Sequence, residues 1–174
     1  MKVSKPLKAI IIITIVLVNV GCDQLTKAIV RSHVEAYASF RFFGGHFMLT
    51  RVENTGAFLS LGDQIPGYLH AILLSIIPAA FLVLGIWYLI QNNTLSKAAV
   101  VAICCMIGGG AGNVFDRIIY GSVTDFLYID FGGFLHTGVF NVADISITTG
   151  VIIMLIDMIK QRRKAQPISP EQEA

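Results

Sequence analysis

Four runs of this 174-residue chain are apolar for long enough to cross a bilayer: 7–30, 68–90, 96–115 and 141–159. Crossing roughly 30 Å of hydrocarbon takes about 20 predominantly apolar residues in a helix. The runs mix Leu and Ile with small and β-branched residues, and none carries the polar stripe of a soluble amphipathic helix. The segments between them, 31–67 and 117–140, have a different pattern. Phe40-Arg41-Phe42-Phe43 and His46-Phe47-Met48-Leu49 flank Gly44-Gly45, and the run Phe126 to Phe131 leads through Gly132-Gly133 into Phe134-Leu135. Aromatic and β-branched runs around Gly-Gly predict hairpins. The chain therefore reads as an α-helical integral membrane protein, four transmembrane helices with a small β-sheet on the outer face. Residues 1–165 form a single domain, and 166–174, with two prolines, form a mobile tail. The Phe residues of the outer segments suit either interfacial anchoring or contact with a lipid-bearing ligand.

Composition agrees. The chain is 55% hydrophobic and 14% charged, against about 45–50% and about 25% in soluble domains. That excludes a disordered chain, a nucleic-acid-binding module and an ordinary cytosolic enzyme. A net charge of +2 implies no polyanionic partner. Of the 13 Lys and Arg residues, eight (Lys2, Lys5, Lys8, Lys97, Lys160, Arg162, Arg163, Lys164) fall on one side and five (Lys27, Arg31, Arg41, Arg51, Arg117) on the other. The bias places both termini and the link after the second span in the cytoplasm.

The first 22 residues also permit a second reading. Basic residues, an apolar core and Val20-Gly21-Cys22 look like a lipoprotein signal ending at a lipidated cysteine. Asn19 and the apolar residues resuming after Cys22 weigh against it. Cys104 and Cys105, adjacent in the third span, read as small core residues. His33, His46, His70 and His136 have no metal-ligand spacing, so neither metal nor cofactor is expected.

Ionisable residues inside membrane helices are expensive unless paired or wetted, and are functional candidates. Asp116 lies 19 residues after Lys97, roughly 28 Å of helix, and Asp144 lies 16 residues before Lys160, roughly 24 Å. Antiparallel neighbours would bring both carboxyls to one level near the outer boundary. Two carboxyls in a low-dielectric site share a proton, so one activates water while the other polarises a carbonyl. The alternatives are that each pairs with a cation, or that they serve a small ion- or proton-coupled transporter. Asp157, three residues before Lys160, reads as a solvated helix-end ion pair. Asp23 and Lys27, at i and i+4, read as a self-neutralising pair, a brace for the outer helix ends or direct participants. The run Gly108-Gly109-Gly110-Ala111-Gly112 lacks a phosphate-loop ending and suits close helix packing.

Five local sequences lie in order along the chain: Asp23-Gln24-Leu25-Thr26-Lys27, Glu53-Asn54-Thr55-Gly56-Ala57-Phe58, Gly112-Asn113-Val114-Phe115-Asp116-Arg117, Val123-Thr124-Asp125-Phe126 and Phe140-Asn141-Val142-Ala143-Asp144. In these the chain resembles the bacterial lipoprotein signal peptidases (signal peptidase II), aspartic proteases with four spans. The resemblance implies that Asp116 and Asp144 are the catalytic pair. It implies that Asn54, Asn113, Arg117 and Asn141 line the site, and that Asp23, Lys27, Gly56, Asp125 and Ala143 support it. It further implies cleavage just before a diacylglyceryl-modified cysteine of a lipoprotein precursor, at the outer face of a bacterial inner membrane. Contact with membrane lipids, sensitivity to globomycin-type peptides and action without a cofactor follow from the same likeness, and nothing demands more than a monomer. Bracing is the favoured role for Arg117. Gly21-Cys22 before Asp23 is unusual for the family, and the loop 31–54 matches it only loosely.

Overall fold

The computed structural model describes residues 4–56 and 67–165. Ala57 and Phe58 of the second signature, and the tail 166–174, lie outside the described residues. Four helices are long and apolar enough to cross a membrane: α1 (Lys5–His33), α2 (Gly67–Gln91), α3 (Lys97–Tyr120) and α4 (Val142–Ala165). They run up, down, up, down. Lys5 of α1 reaches Gln91 at the end of α2, and Ser96 before α3 reaches Asp157 in α4. The third span is longer than expected: α3 continues to Tyr120, so Arg117 is helical and not in a loop. Part of α2, Ile72–Ile76, is a π-turn just before Pro78.

The helix ends follow from their residues. Ser96 caps α3 by accepting from the Ala99 N–H at 2.9 Å. Gly121, at φ 77°, ends it in the left-handed conformation that glycine tolerates best, its N–H on the Arg117 carbonyl. Asn141 and Asp144 close α4 reciprocally: Asp144 N–H donates to Asn141 Oδ1 at 3.0 Å, and Asn141 N–H donates to Asp144 Oδ2 at 3.1 Å. This is a capping box built from Asn and Asp.

At the end of the bundle holding the α1 C-terminus and the α4 N-terminus sits an antiparallel sheet of β1 (Ser39–Phe42), β2 (Phe47–Asn54) and β3 (Val123–Ile129), in that order. The Gly44-Gly45 hairpin forms as expected, through a 3-10 turn over Phe43–Gly45. The second Gly-Gly turn also reverses the chain, but its return leg makes only isolated bridges, Asp130 with His136 and Leu127 with Phe140. Val30, Val34 and Phe126 form a small core that seats the sheet on the helices. A second core, Ile12, Val16, Leu89, Cys104 and Ile107, lies within the bundle. The outward helix faces are apolar, with Ile10, Leu17, Phe81, Trp87 and Leu155 all exposed. Such a belt is tolerable only against lipid.

The glycine run of α3 permits the close approach expected of it. A Cβ on Gly109 would meet the Ala143 carbonyl and lie 2.8 Å from Ile147 Cγ1, and one on Gly112 would meet the Asp23 carboxylate. Gly109→Ala must therefore push α4 off α3 at the level of Asp144. Overpacking of this kind costs about 1–3 kcal/mol. A thermal-unfolding midpoint lowered by several degrees in detergent is the expected result, and an unchanged midpoint would contradict this packing.

Candidate active site

Two polar clusters sit where the sheet meets the helices. The first is a buried ion network. Lys27 Nζ lies 2.8 Å from Asp23 Oδ2 and 2.9 Å from Asp116 Oδ2, with all three side chains fully buried. Arg31 Nη2 lies 2.8 Å from Asp116 Oδ1, while its Nε donates to Thr124 Oγ1 at 2.8 Å and its guanidinium stacks 4.0 Å over the Tyr120 ring. Gln24 Nε2 donates to Asp116 Oδ1 at 3.0 Å. The other Asp23 oxygen accepts the Ala143 N–H at 3.0 Å, tying α1 to the first turn of α4. Asp23 and Lys27 thus form the i, i+4 ion pair and also contact α3 and α4.

The second cluster faces a cavity of about 810 Å³ whose lining includes Asn54, Asn113, Arg117, Asp125 and Asp144. Asp125, on β3, accepts from Asn54 Nδ2 at 3.0 Å and from Asn141 Nδ2 at 2.6 Å. Burial pushes its carboxyl up to about 6, the Asn54 bond opposing and the neighbouring Asp144 charge adding to the rise. Asp144 accepts from Asn113 Nδ2 at 2.9 Å through Oδ1 and from the Asn141 N–H through Oδ2. Asn141 is fully buried and touches both carboxyls. Asn113 joins the clusters, its Oδ1 accepting from Lys27 Nζ at 2.9 Å and from Asn141 Nδ2 at 3.1 Å.

Asp116 and Asp144, expected side by side, lie in different clusters. Asp116 does not line the cavity, and both its oxygens are taken up by Lys27, Arg31, Gln24 and the Thr124 N–H. The cavity carboxyl beside Asp144 is Asp125, read above only as a supporting residue. The reason is rotational. Asn113 and Arg117, four apart on α3, share the cavity face, whereas Asp116, three from Asn113, is turned about 60° from it, toward α1. Strand alternation makes the same separation on β3, where Thr124 meets Arg31 and Asp125 meets the cavity.

Arg117 donates to the Gly56 carbonyl at 2.8 Å, the loop-bracing role favoured for it, while also lining the cavity. Asn54 Oδ1 accepts the Gly56 N–H, closing a tight turn. Asp157 bonds Ser96 Oγ at 2.7 Å and Gln161 Nε2 at 2.6 Å, in place of the expected Lys160 pair. Cys22 lies within unbroken α1. Arg31, Gln24, Thr124 and Glu53 were missed. Arg31 continues the i, i+4 spacing of Asp23 and Lys27, which could have flagged it. Glu53 accepts from Ser122 Oγ at 2.9 Å and from Thr124 Oγ1.

Fold and site together define a polytopic membrane protein with a carboxyl-lined, asparagine-rich cavity at one end of a four-helix bundle. Comparison with known proteins narrows the class. The profile of signal peptidase (SPase) II matches residues 15–160. A lipoprotein signal peptidase of Solibacter usitatus is 34% identical over 84% of this chain and 89% of its own length, and one of Streptococcus pneumoniae is 35% identical over 88% and 95%. A solved structure described as a bacterial membrane enzyme superposes with a TM-score of 0.76 at 27% identity, covering 91% of this chain and 93% of its own. The chain belongs to the signal peptidase II family and is a bacterial membrane peptidase.

Proposed function

We propose that this peptidase removes signal peptides from lipoprotein precursors by aspartic catalysis, with Asp125 and Asp144 as the catalytic pair. The observation that carries the reading is that these two carboxyls line one cavity and share Asn141 as a donor. The lipoprotein substrate is supported by the names of the relatives. The transporter alternative is dropped, because the family is a peptidase family.

In the resting pair Asp125 holds the proton and Asp144 serves as the base. Asp144 takes a proton from water, whose oxygen attacks the scissile carbonyl carbon, while Asp125 gives its proton to the carbonyl oxygen. The tetrahedral diol collapses as Asp144 returns its proton to the leaving amide nitrogen and Asp125 recovers one from a diol hydroxyl. No covalent intermediate forms. Asn54, Asn113 and Asn141 fix the carboxyl orientations, so little reorganisation accompanies the charge movement. Asp23, Lys27 and Asp116 hold the helices that carry the pair.

The diacylglyceryl group on the substrate cysteine supplies the remaining specificity. Its acyl chains stay in hydrocarbon, so the bond before the cysteine lies at headgroup depth, where the sheet meets the bundle. The basic end of the bundle, with Lys5, Lys8, Lys97 and Arg162, faces the cytoplasm, and the cavity faces the outer side. The protein acts as a monomer. Incubation with a lipidated and an unlipidated precursor tests the reading: a size shift in the first alone is expected, and no shift in the lipidated one overturns it.

The proton on Asp125 sets the pH dependence. Its raised carboxyl keeps the proton as pH climbs toward 6 and loses it beyond. The expected kcat/KM therefore falls along an alkaline limb starting above about pH 6. A profile flat between about pH 5 and about pH 9 on the lipidated precursor would contradict a proton held there.

A further inference from the structure

Five consecutive residues, His136 to Phe140, make one wall of the cavity that holds Asp125 and Asp144. This is the return leg of the second hairpin. Leu127 and Phe140 exchange two backbone hydrogen bonds of 2.8 Å, and the Thr137 N–H donates to the Ile129 carbonyl at 2.9 Å. In an antiparallel ladder the residue next to such a bonded pair turns its N–H and C=O away from its partner strand. Val139 is that residue, opposite Tyr128. Among the described residues, the backbone N–H and C=O groups of Gly138 and Val139 make no hydrogen bond. An unpaired strand edge of this kind accepts another extended strand through main-chain bonds.

We propose that the edge at Gly138 and Val139 is a main-chain docking site that takes the precursor segment bearing the scissile bond as an added strand. The inference rests on the peptidase reading above and deepens it. The occupant follows from what the carboxyls require. In a helix the scissile carbonyl is tied up in an intrahelical bond, whereas an extended segment leaves it free for two carboxyls to approach. An extended segment beside Asp144 also offers alternate N–H and C=O groups to the free edge on the same wall. Gly138 places no side chain between the two backbones. Recognition through the backbone reads no side-chain identity, so the edge supplies alignment and leaves selection to the lipid and the cavity.

Val139→Pro removes one edge donor and no hydrogen bond of the fold. With the lipidated precursor, KM is expected to rise about tenfold while kcat stays within about threefold, the pattern of lost uniform binding. An unchanged KM in a folded variant overturns the proposal, while cleavage by the parent enzyme leaves the peptidase reading standing. Should the variant fail to fold, the parent enzyme decides the question with precursor peptides N-methylated one residue at a time before the cleavage site. One position that raises KM about tenfold supports the added strand, and a series with no such position overturns it. Failure of the parent enzyme to cleave any lipidated precursor would instead sink the peptidase reading.

Discussion

Asp125→Asn and Asp144→Asn are each expected to lower kcat by about a thousandfold or more, with the protein inserted and folded as before. Asparagine has nearly the shape of aspartate and keeps an oxygen for the existing donors. At 125 that oxygen accepts from Asn54 or Asn141, and at 144 from Asn113 or the Asn141 N–H, so each variant gives up one hydrogen bond along with the charge. What is lost is the proton chemistry. An amide at 144 takes no proton from water, and one at 125 transfers none to the carbonyl oxygen. The two losses are not additive, since either one disables the pair, so the double variant should be no slower than the slower single one. A gel-shift assay on lipidated precursor, with thermal unfolding as the fold control, measures this. Turnover within about tenfold of the parent enzyme in either variant would remove that residue from the chemistry.

Lys27→Met is the largest stability effect expected. The ammonium stands between two fully buried carboxylates, 2.8 Å and 2.9 Å away. Methionine keeps the length and the apolar stem and deletes only the charge. Asp23 and Asp116 then face each other without the group that reconciles them, and Arg31 on the far side of Asp116 neutralises only one. Removing one partner of a buried ion pair costs about 3–5 kcal/mol, because the other charge stays buried uncompensated. Here two carboxylates are left. The variant also removes one of the two donors on Asn113 Oδ1, leaving Asn141 Nδ2 to hold the amide that donates to Asp144. The expected result is poor accumulation in the membrane and a sharply lowered unfolding midpoint. A midpoint within a few degrees of the parent would show that the network holds little.

The sequence makes the membrane topology readable because bilayer thickness is a fixed length and the apolar runs match it. It also places Asp144 and Asp116 at one depth, since rise per residue is constant along a helix. Depth does not specify direction around the axis. Asn113, Asp116 and Arg117 are equally polar in the sequence, yet packing against α1 takes Asp116 out of the cavity and leaves its neighbours in it. Asp125 was hard to rank because it lies on a strand of the outer segment, where no span length fixes its height. Only the return of β3 over the helix ends brings it beside Asp144. Arg31 was obscured for a related reason. At the end of α1 it reads as an ordinary interfacial cation, and its partners on α3 and β3 are 85 and 93 residues away.

In the proposed mechanism one reacting centre sits between the carboxyls of Asp125 and Asp144. The most direct measurement is a structure of the enzyme with a lipidated precursor analogue whose scissile carbonyl is replaced by a hydroxyl-bearing tetrahedral carbon. That hydroxyl is expected within hydrogen-bond distance of both carboxyls, with Asp116 still held by Lys27 and Arg31. A hydroxyl seated against Asp116, or against neither cavity carboxyl, would contradict the assignment.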